Sequence, residues 1–438
     1  MRILAAAALI AGALIRIAII PLGVPPIDSG WRAWSYHAAT RGPWHMYGPK
    51  GHTVSFGDIT VPVEYPPVAL AEFGIIGRAH MAATGGRFDD DAGLTRLIKG
   101  AFALFDAAMA ALIFLVVRRA GGTPRAWWAS MAYWVNPAVL MMTTLSYMDV
   151  CMALPAVGAV IAASCNRPWL SGALFTAGVM TKPQGLFVAP AVALALWNAG
   201  AAGSALTRWR DAVAASGLTA AAIVAPLAVT GSTYAMVRSV GVLAGHNMLS
   251  ALAFNLWWIV SYIFKVVDAR AGGLRAALLS HPDIVTHAEA MAHGVPNPRL
   301  VAMVLLLGAG GWALKHALRA RDLGLQTAFA AFLVVAYFTL SVQVHENHFF
   351  LALPLLAIAA ALRPAFAPVL AALSVSFALN LYLIYGFRGG GPPEVLTAID
   401  PSLPLAIVTC ALFGWFTVVF SRECARPIQG DRHESRVA

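Results

Sequence analysis

Twelve apolar runs recur along this chain, and they set what it can fold into. They lie at roughly 3–22, 95–117, 126–144, 150–165, 168–182, 184–199, 212–230, 300–318, 324–341, 349–362, 365–385 and 402–420. A helix needs about 20 mostly apolar residues to cross the hydrocarbon of a bilayer. In that solvent backbone polar groups must be satisfied internally, which leaves helices as the natural solution. Of the 438 residues, 59% are apolar and only 11% charged, against about 25% charge in ordinary soluble domains. Disorder, a disulfide scaffold, a coiled coil and a string of soluble domains are excluded together. The expected fold is all-α, a polytopic transmembrane bundle of about 12 spans. Cys151, Cys165, Cys410 and Cys424 have neither metal-ligand nor disulfide spacing and read as free thiols.

The net charge of +10 then becomes a question of sides. Arg118, Arg119 and Arg125 crowd one short loop, Arg208 and Arg210 a second, and Lys315, Arg319 and Arg321 a third; Arg422, Arg426, Arg432 and Arg436 follow the last span. Twelve spans put all of these and both termini on one side, the cytoplasmic side by the positive-inside rule. Most of the acids and histidines fall on the other. The first span is kept as an uncleaved anchor, because no small-residue cleavage site follows Pro21. One transmembrane domain is expected over 1–420, with outer loops at 24–94 and 231–299 and a basic tail at 421–438. In the first loop, residues 30–40 carry Trp31, Trp34 and Tyr36, as an interfacial helix would. Residues 67–83 and 251–267 are likewise laid along the surface, since counting either as a span would invert the charge pattern.

Polar residues at the outer ends of these spans carry the functional signal. Asp28 follows the first span in Val24-Pro25-Pro26-Ile27-Asp28, where the prolines cannot continue the helix. Glu64-Tyr65-Pro66-Pro67 opens the second surface helix, and Asp149 sits at a turn between two apolar runs. Each acid reads equally as a helix cap or as a functional group. Lys182, in the broken turn Thr181-Lys182-Pro183-Gln184, needs an anionic partner, an aqueous cavity or a route to the interface. Gln343-Val344-His345-Glu346-Asn347-His348 is too polar for a plain turn between two apolar runs. Its two histidines fit contact with a phosphate or a sugar hydroxyl better than a metal. Arg16 and Asp106 lie inside the first two spans at depths that an arginine can bridge, and read as a structural ion pair. Together these residues describe an outward-facing site lined by acids and histidines close to the bilayer. A lone acid there suits general-base work on a hydroxyl, and a lysine with histidines suits a lipid-phosphate leaving group.

The order of these motifs resembles the GT-C superfamily of integral-membrane glycosyltransferases, notably bacterial mannosyltransferases related to the second mannosyltransferase of GPI-anchor assembly and polyprenyl-phosphomannose-dependent enzymes. The likeness runs from about residue 3 to 362. It rests on Asp28, Trp34, Gly42, Tyr47 and Glu64-Tyr65-Pro66-Pro67, on Asn136-Pro137 with Asp149, on Thr181 to Gln184, on Leu252 to Trp257 and on His345-Glu346-Asn347-His348. Three motifs depart from that pattern. Glu64 replaces Asp, Ser146-Tyr147 stands where Gly-Gln is usual, and Asn347 stands in place of Arg.

The resemblance implies a glycosyltransferase that moves a sugar, mannose foremost, from a polyprenyl-phosphate donor to an acceptor hydroxyl with inversion. Asp28 would be the general base. Lys182, His345 and Gln184 would meet the donor phosphate. Glu64, Tyr65, Asp149, Glu346, His348 and Asn255 would hold the sugar or the acceptor. The acceptor would be a lipid, glycan or protein, with membrane lipids as partners and no nucleic acid. No cofactor is expected, and no metal, since the chain lacks an Asp-x-Asp pair. The site would face the exterior of the cytoplasmic membrane. The rival readings are a related enzyme using aminoarabinose, glucose or arabinose, a transporter or flippase, and a non-catalytic scaffold subunit. A transporter would show repeated halves with broken helices in each, whereas one broken hairpin is present.

Overall fold

The computed structural model describes residues 2–23, 28–48, 52–88, 91–199, 204–268, 278–391 and 399–426. The Pro25-Pro26 elbow and the tail beyond 426, with Arg432 and Arg436, lie outside the described residues. The helices are α1 (Arg2–Ile19), α2 (Asp28–Arg41), α3 (Pro67–Ala83), α4 (Asp91–Gly121), α5 (Thr123–Trp134), α6 (Pro137–Thr144), α7 (Asp149–Ser164), α8 (Pro168–Thr181), α9 (Ala189–Asn198), α10 (Ala205–Val229), α11 (Thr233–Gly241), α12 (Leu256–Asp268), α13 (His287–Ala292), α14 (Pro298–Ala317), α15 (Leu323–Leu340), α16 (Ala352–Leu362), α17 (Ala367–Tyr385) and α18 (Ser402–Ala425). All twelve apolar runs are helical over most of their length. Six helices among the described residues are long and apolar enough to cross a membrane, and three shorter apolar helices accompany them.

Some of the runs are not single helices. The run 126–144 breaks at Val135-Asn136 because Pro137 lacks the amide a continuing helix needs. Asn136 turns the break into a cap, its side chain accepting from the Ala138 amide at 3.0 Å. The run 184–199 begins as a 3-10 turn, Pro183–Val188, before α9 starts.

The core sits around α16 (Ala352–Leu362). Ala352 through Ala361 are all buried, as expected of a helix that is apolar on every side. It packs against α4, α5, α15 and α17. At the rim, α10 and α14 turn Val213, Leu218, Val304 and Leu307 outward, a face suited to lipid. Helices α8 and α10 cross closely at Gly172, where an added Cβ would lie 2.1 Å from the Ala212 carbonyl oxygen. Small residues at such crossings let membrane helices approach. Arg16 and Asp106 are paired at 3.5 Å as expected. Tyr133 and Thr143 hydroxyls also donate to Asp106 at 2.6 and 3.0 Å, and the Arg16 guanidinium lies 3.6 Å over the Trp134 ring.

The first long loop is more ordered than its sequence suggested. A hairpin, β1 (Thr53–Phe56) with β2 (Ile59–Pro62), closes through Gly57-Asp58. Gly57 has φ 58, the left-handed conformation that a tight twisted hairpin asks of glycine. Helix α2 is present, but Trp31 and Trp34 do not face a membrane interface. Both are buried against Tyr65 and Phe73, where the wall of α3 gives their rings more apolar contact than a headgroup layer would.

Candidate active site

Five of the sequence motifs meet at one end of the bundle. The hub is α7, which begins at Asp149. Lys182, at the C-terminal end of α8, donates to Asp149 Oδ1 at 2.8 Å, and Asn347 donates to Oδ2 at 2.8 Å. Lys182 Nζ also lies 5.6 Å from the centre of the Tyr65 ring. Burial works against the lysine charge, but the Asp149 carboxylate more than offsets it, so the Lys182 pKa stands above its ordinary value. Three separate motifs are thus joined through one buried ion pair.

Beside this hub lies a cavity of about 850 Å³. Its polar wall is Glu64, Tyr65, Tyr147, Gln184 and the run His345 to His348. Met180, Leu186, Phe187, Met236 and Val240 form an apolar wall, and Leu186 is half exposed. A short parallel pairing, β3 (Ser250–Ala251) with β4 (Val344–His345), pins the second long loop to the polar turn. That loop also brings His246, whose ring lies 5.9 Å from His345. Glu64 is pushed above its ordinary pKa by burial, with His246 pulling the other way. Burial depresses the His345 pKa, so this imidazole is neutral near pH 7.

Hydrogen bonding fixes the tautomer of His348. Its Nδ1 accepts from the His345 amide at 3.3 Å and lies 3.3 Å from the Tyr337 hydroxyl. An amide nitrogen can only donate, so the ring proton is on Nε2. The Gln184 side-chain amide lies 2.9 Å from that nitrogen. It must therefore present its oxygen to His348 and its NH2 group away from it, the amide orientation being set by the network.

Asp28 stands outside the cavity lining, fully buried in a separate cluster. Thr95 donates to its Oδ2, and Arg32 pairs with the same oxygen at 3.3 Å. Among the described residues, Asp28 Oδ1 has no hydrogen-bond partner. Burial raises its pKa, against the opposing pull of Thr95, Arg32, Lys99 and the Ser146 side chain. Lys99 holds the end of the first span by donating to the Leu22 and Gly23 carbonyls at 2.7 and 3.1 Å. A thin wall separates this cluster from the cavity: Trp31 donates to the Ser146 carbonyl at 2.8 Å, and the next residue, Tyr147, lines the cavity.

Not every expected residue reaches the cavity. Asn255 is a helix cap: its side-chain oxygen accepts from the Trp257 and Trp258 amides at 3.0 and 3.1 Å, and its NH2 donates to Phe338 O at 2.9 Å. With all its polar atoms used inside the chain, it has no group left for a sugar. Asp149 and Lys182 stand behind the lining, spent on each other rather than facing a ligand. His345 and His348 have ring centres 5.3 Å apart, and no third His, Cys, Asp or Glu among the described residues completes a metal-binding group. The sequence reading missed Tyr337, Tyr385, His246, Arg32, Thr95 and Lys99. Of these, only Lys99 left a signal, a lone lysine within an apolar run.

No family model matches the sequence, and no curated protein matches it. Among solved structures the chain is similar to ArnT from Cupriavidus metallidurans in the apo state, with a TM-score of 0.50 and 13% identity over 95% of this chain and 76% of that chain. The Archaeoglobus fulgidus oligosaccharyltransferase in the apo form aligns at a TM-score of 0.44 and 13% identity, covering 97% of this chain and 57% of that chain. The first likeness gives the fold: a predominantly helical bundle shared with ArnT, in keeping with the architecture that the motif order implied.

Proposed function

We propose that this protein is a lipid-linked sugar transferase, moving a sugar from a polyprenyl-phosphate donor to an acceptor hydroxyl. The observation that carries the reading is one cavity, polar at the motif residues and apolar on the side of α8, the Pro183–Val188 turn and α11. A ligand with a long hydrocarbon tail and a hydroxylated head matches both walls. The fold shared with ArnT is consistent with it. Mannose is the first candidate sugar. The site is taken to face the exterior of the cytoplasmic membrane, in keeping with the asymmetry of the basic loops.

Asp28 is the proposed base. Its unpartnered Oδ1 takes the proton of the acceptor hydroxyl as that oxygen attacks the anomeric carbon. The bond from that carbon to the phosphate oxygen breaks, and the lipid phosphate leaves with the electron pair, inverting the centre. The acceptor must therefore arrive where the Trp31–Ser146 wall separates Asp28 from the cavity. The NH2 group of Gln184 is placed to donate to the leaving phosphate. Lys182 adds positive potential from behind Tyr65 rather than a direct contact, because Asp149 holds it. Donated hydrogen bonds and fixed charge at a leaving oxygen are the usual large terms in such transfers.

The test is direct. Purified protein is incubated with polyprenyl-phosphomannose, -glucose and -arabinose and candidate membrane acceptors, and products are identified by mass. Transfer from any one of them supports the reading and names the sugar. Absence of transfer from all of them, by protein that remains folded, overturns it.

A further inference from the structure

Glu346 is a carboxylate whose surroundings are incomplete. It lines the cavity yet is only 2% exposed. Two phenols converge on its Oε1, those of Tyr147 and Tyr385, the latter at 2.8 Å, and the two hydroxyls lie 3.0 Å apart. Its other oxygen, Oε2, is buried and has no hydrogen-bond partner among the described residues. None of the described residues lining the cavity is a lysine or arginine, and Glu64 adds a second acid. A buried acceptor left unsatisfied loses its hydration without recompense, the more so when charged. Such groups in folded proteins call for an explanation, and a ligand that completes them is one.

We propose that Glu346 Oε2 is the acceptor for a hydrogen-bond donor on the ligand, a hydroxyl or ammonium of the transferred sugar, and so selects which sugar the site accepts. The assignment rests on the transferase reading and names the part of the substrate that this wall reads. A phosphate diester cannot take the place, since it offers only acceptors and a like charge. The donor lipid is thereby oriented, with its sugar toward Glu346 and its phosphate toward Gln184. Tyr147 and Tyr385 act as positioning residues. By filling Oε1 they fix the carboxylate plane and leave a single oxygen for the ligand.

The experiment compares two ligands on the full-length protein in lipid nanodiscs, polyprenyl-phosphomannose and bare polyprenyl phosphate, with binding followed by tryptophan fluorescence. Glu346→Gln keeps the shape but replaces one acceptor oxygen by a donor. The expected result is a loss of about tenfold or more in affinity for the sugar lipid with the bare lipid unchanged. Tyr385→Phe, which leaves the carboxylate in place, should give a smaller loss in the same direction, and it decides the matter if Glu346→Gln does not fold. A lipid-linked amino sugar added to the series separates the two donors, since an ammonium partner would make its loss the larger. Equal weakening of sugar lipid and bare lipid, or no weakening of either, overturns the assignment and leaves the transferase reading standing. Failure of the wild-type protein to bind either lipid overturns both.

Discussion

Lys182 Nζ and Asp149 Oδ1 stand 2.8 Å apart with both side chains almost wholly buried. The pair ties the broken turn after α8 to the first residue of α7. Removing one member of a buried pair leaves an uncompensated charge, which typically costs about 3–5 kcal/mol, whereas replacing both by apolar residues is often close to neutral. Lys182→Met and Asp149→Leu should each lower the thermal midpoint in detergent sharply. The double variant should recover most of that loss while remaining inactive. A double variant no more stable than either single would show that the two side chains do not act as a pair.

Asp28→Asn should abolish transfer and leave donor binding intact, with some loss of stability, because Thr95 can still donate to the amide oxygen while Arg32 loses its charged partner. Burial raises the Asp28 pKa above the usual carboxylate value. The carboxylate is the active form, so turnover should fall as pH drops through that raised value, and the acid limb should lie above about pH 4. Near-wild-type turnover in the variant, or an acid limb below the ordinary carboxylate range, would remove Asp28 from the role of base.

Much of this is legible in the amino-acid sequence alone. Each of the six described helices long and apolar enough to cross a membrane falls on an expected apolar run, because length and hydropathy are local properties. The polar motifs announced themselves because polar side chains at the ends of apolar runs need a reason to be there. Partnership was not legible. Nothing in the sequence says that Lys182 answers Asp149 rather than a phosphate, or that Asn255 spends its amide on a helix start. Both follow from the three-dimensional approach of elements far apart in the chain. The Gly57-Asp58 turn carries a hairpin signal in the sequence, in a loop otherwise dominated by membrane patterning.

Ser146 illustrates a local rule that did survive. It holds φ 60, a left-handed conformation that costs an ordinary residue about 1–2 kcal/mol, at the position where the resembling family carries glycine. Ser146→Gly should therefore stabilise the protein, by about 0.5–1 kcal/mol once the extra freedom of glycine in the unfolded chain is counted. The carbonyl that receives Trp31 is unchanged by the substitution. Thermal unfolding of the two proteins side by side measures it, and a loss of stability would mean that the hydroxyl matters to Asp28 more than the backbone strain does.

A last prediction concerns the start of α18 (Ser402–Ala425). Asp400 accepts from the Ser402 amide at 2.9 Å and pairs with His281 Nδ1 at 2.7 Å. Burial alone would raise its pKa, but His281, the Ser402 amide and Tyr262 hold it down to about 2. A carboxyl whose folded pKa is depressed contributes stability above its unfolded value, near 4, and loses it as pH falls through the folded value. The contribution is of order 1–2 kcal/mol after allowance for solvent around the partly exposed His281. Asp400→Asn should thus be less stable than wild type at pH 5, and the gap should close as pH falls from about 4 to about 2. Thermal midpoints of both proteins across that range read the difference directly. A gap that stays constant down to pH 2 would show that the Asp400 charge is not what fastens this helix to the loop at His281.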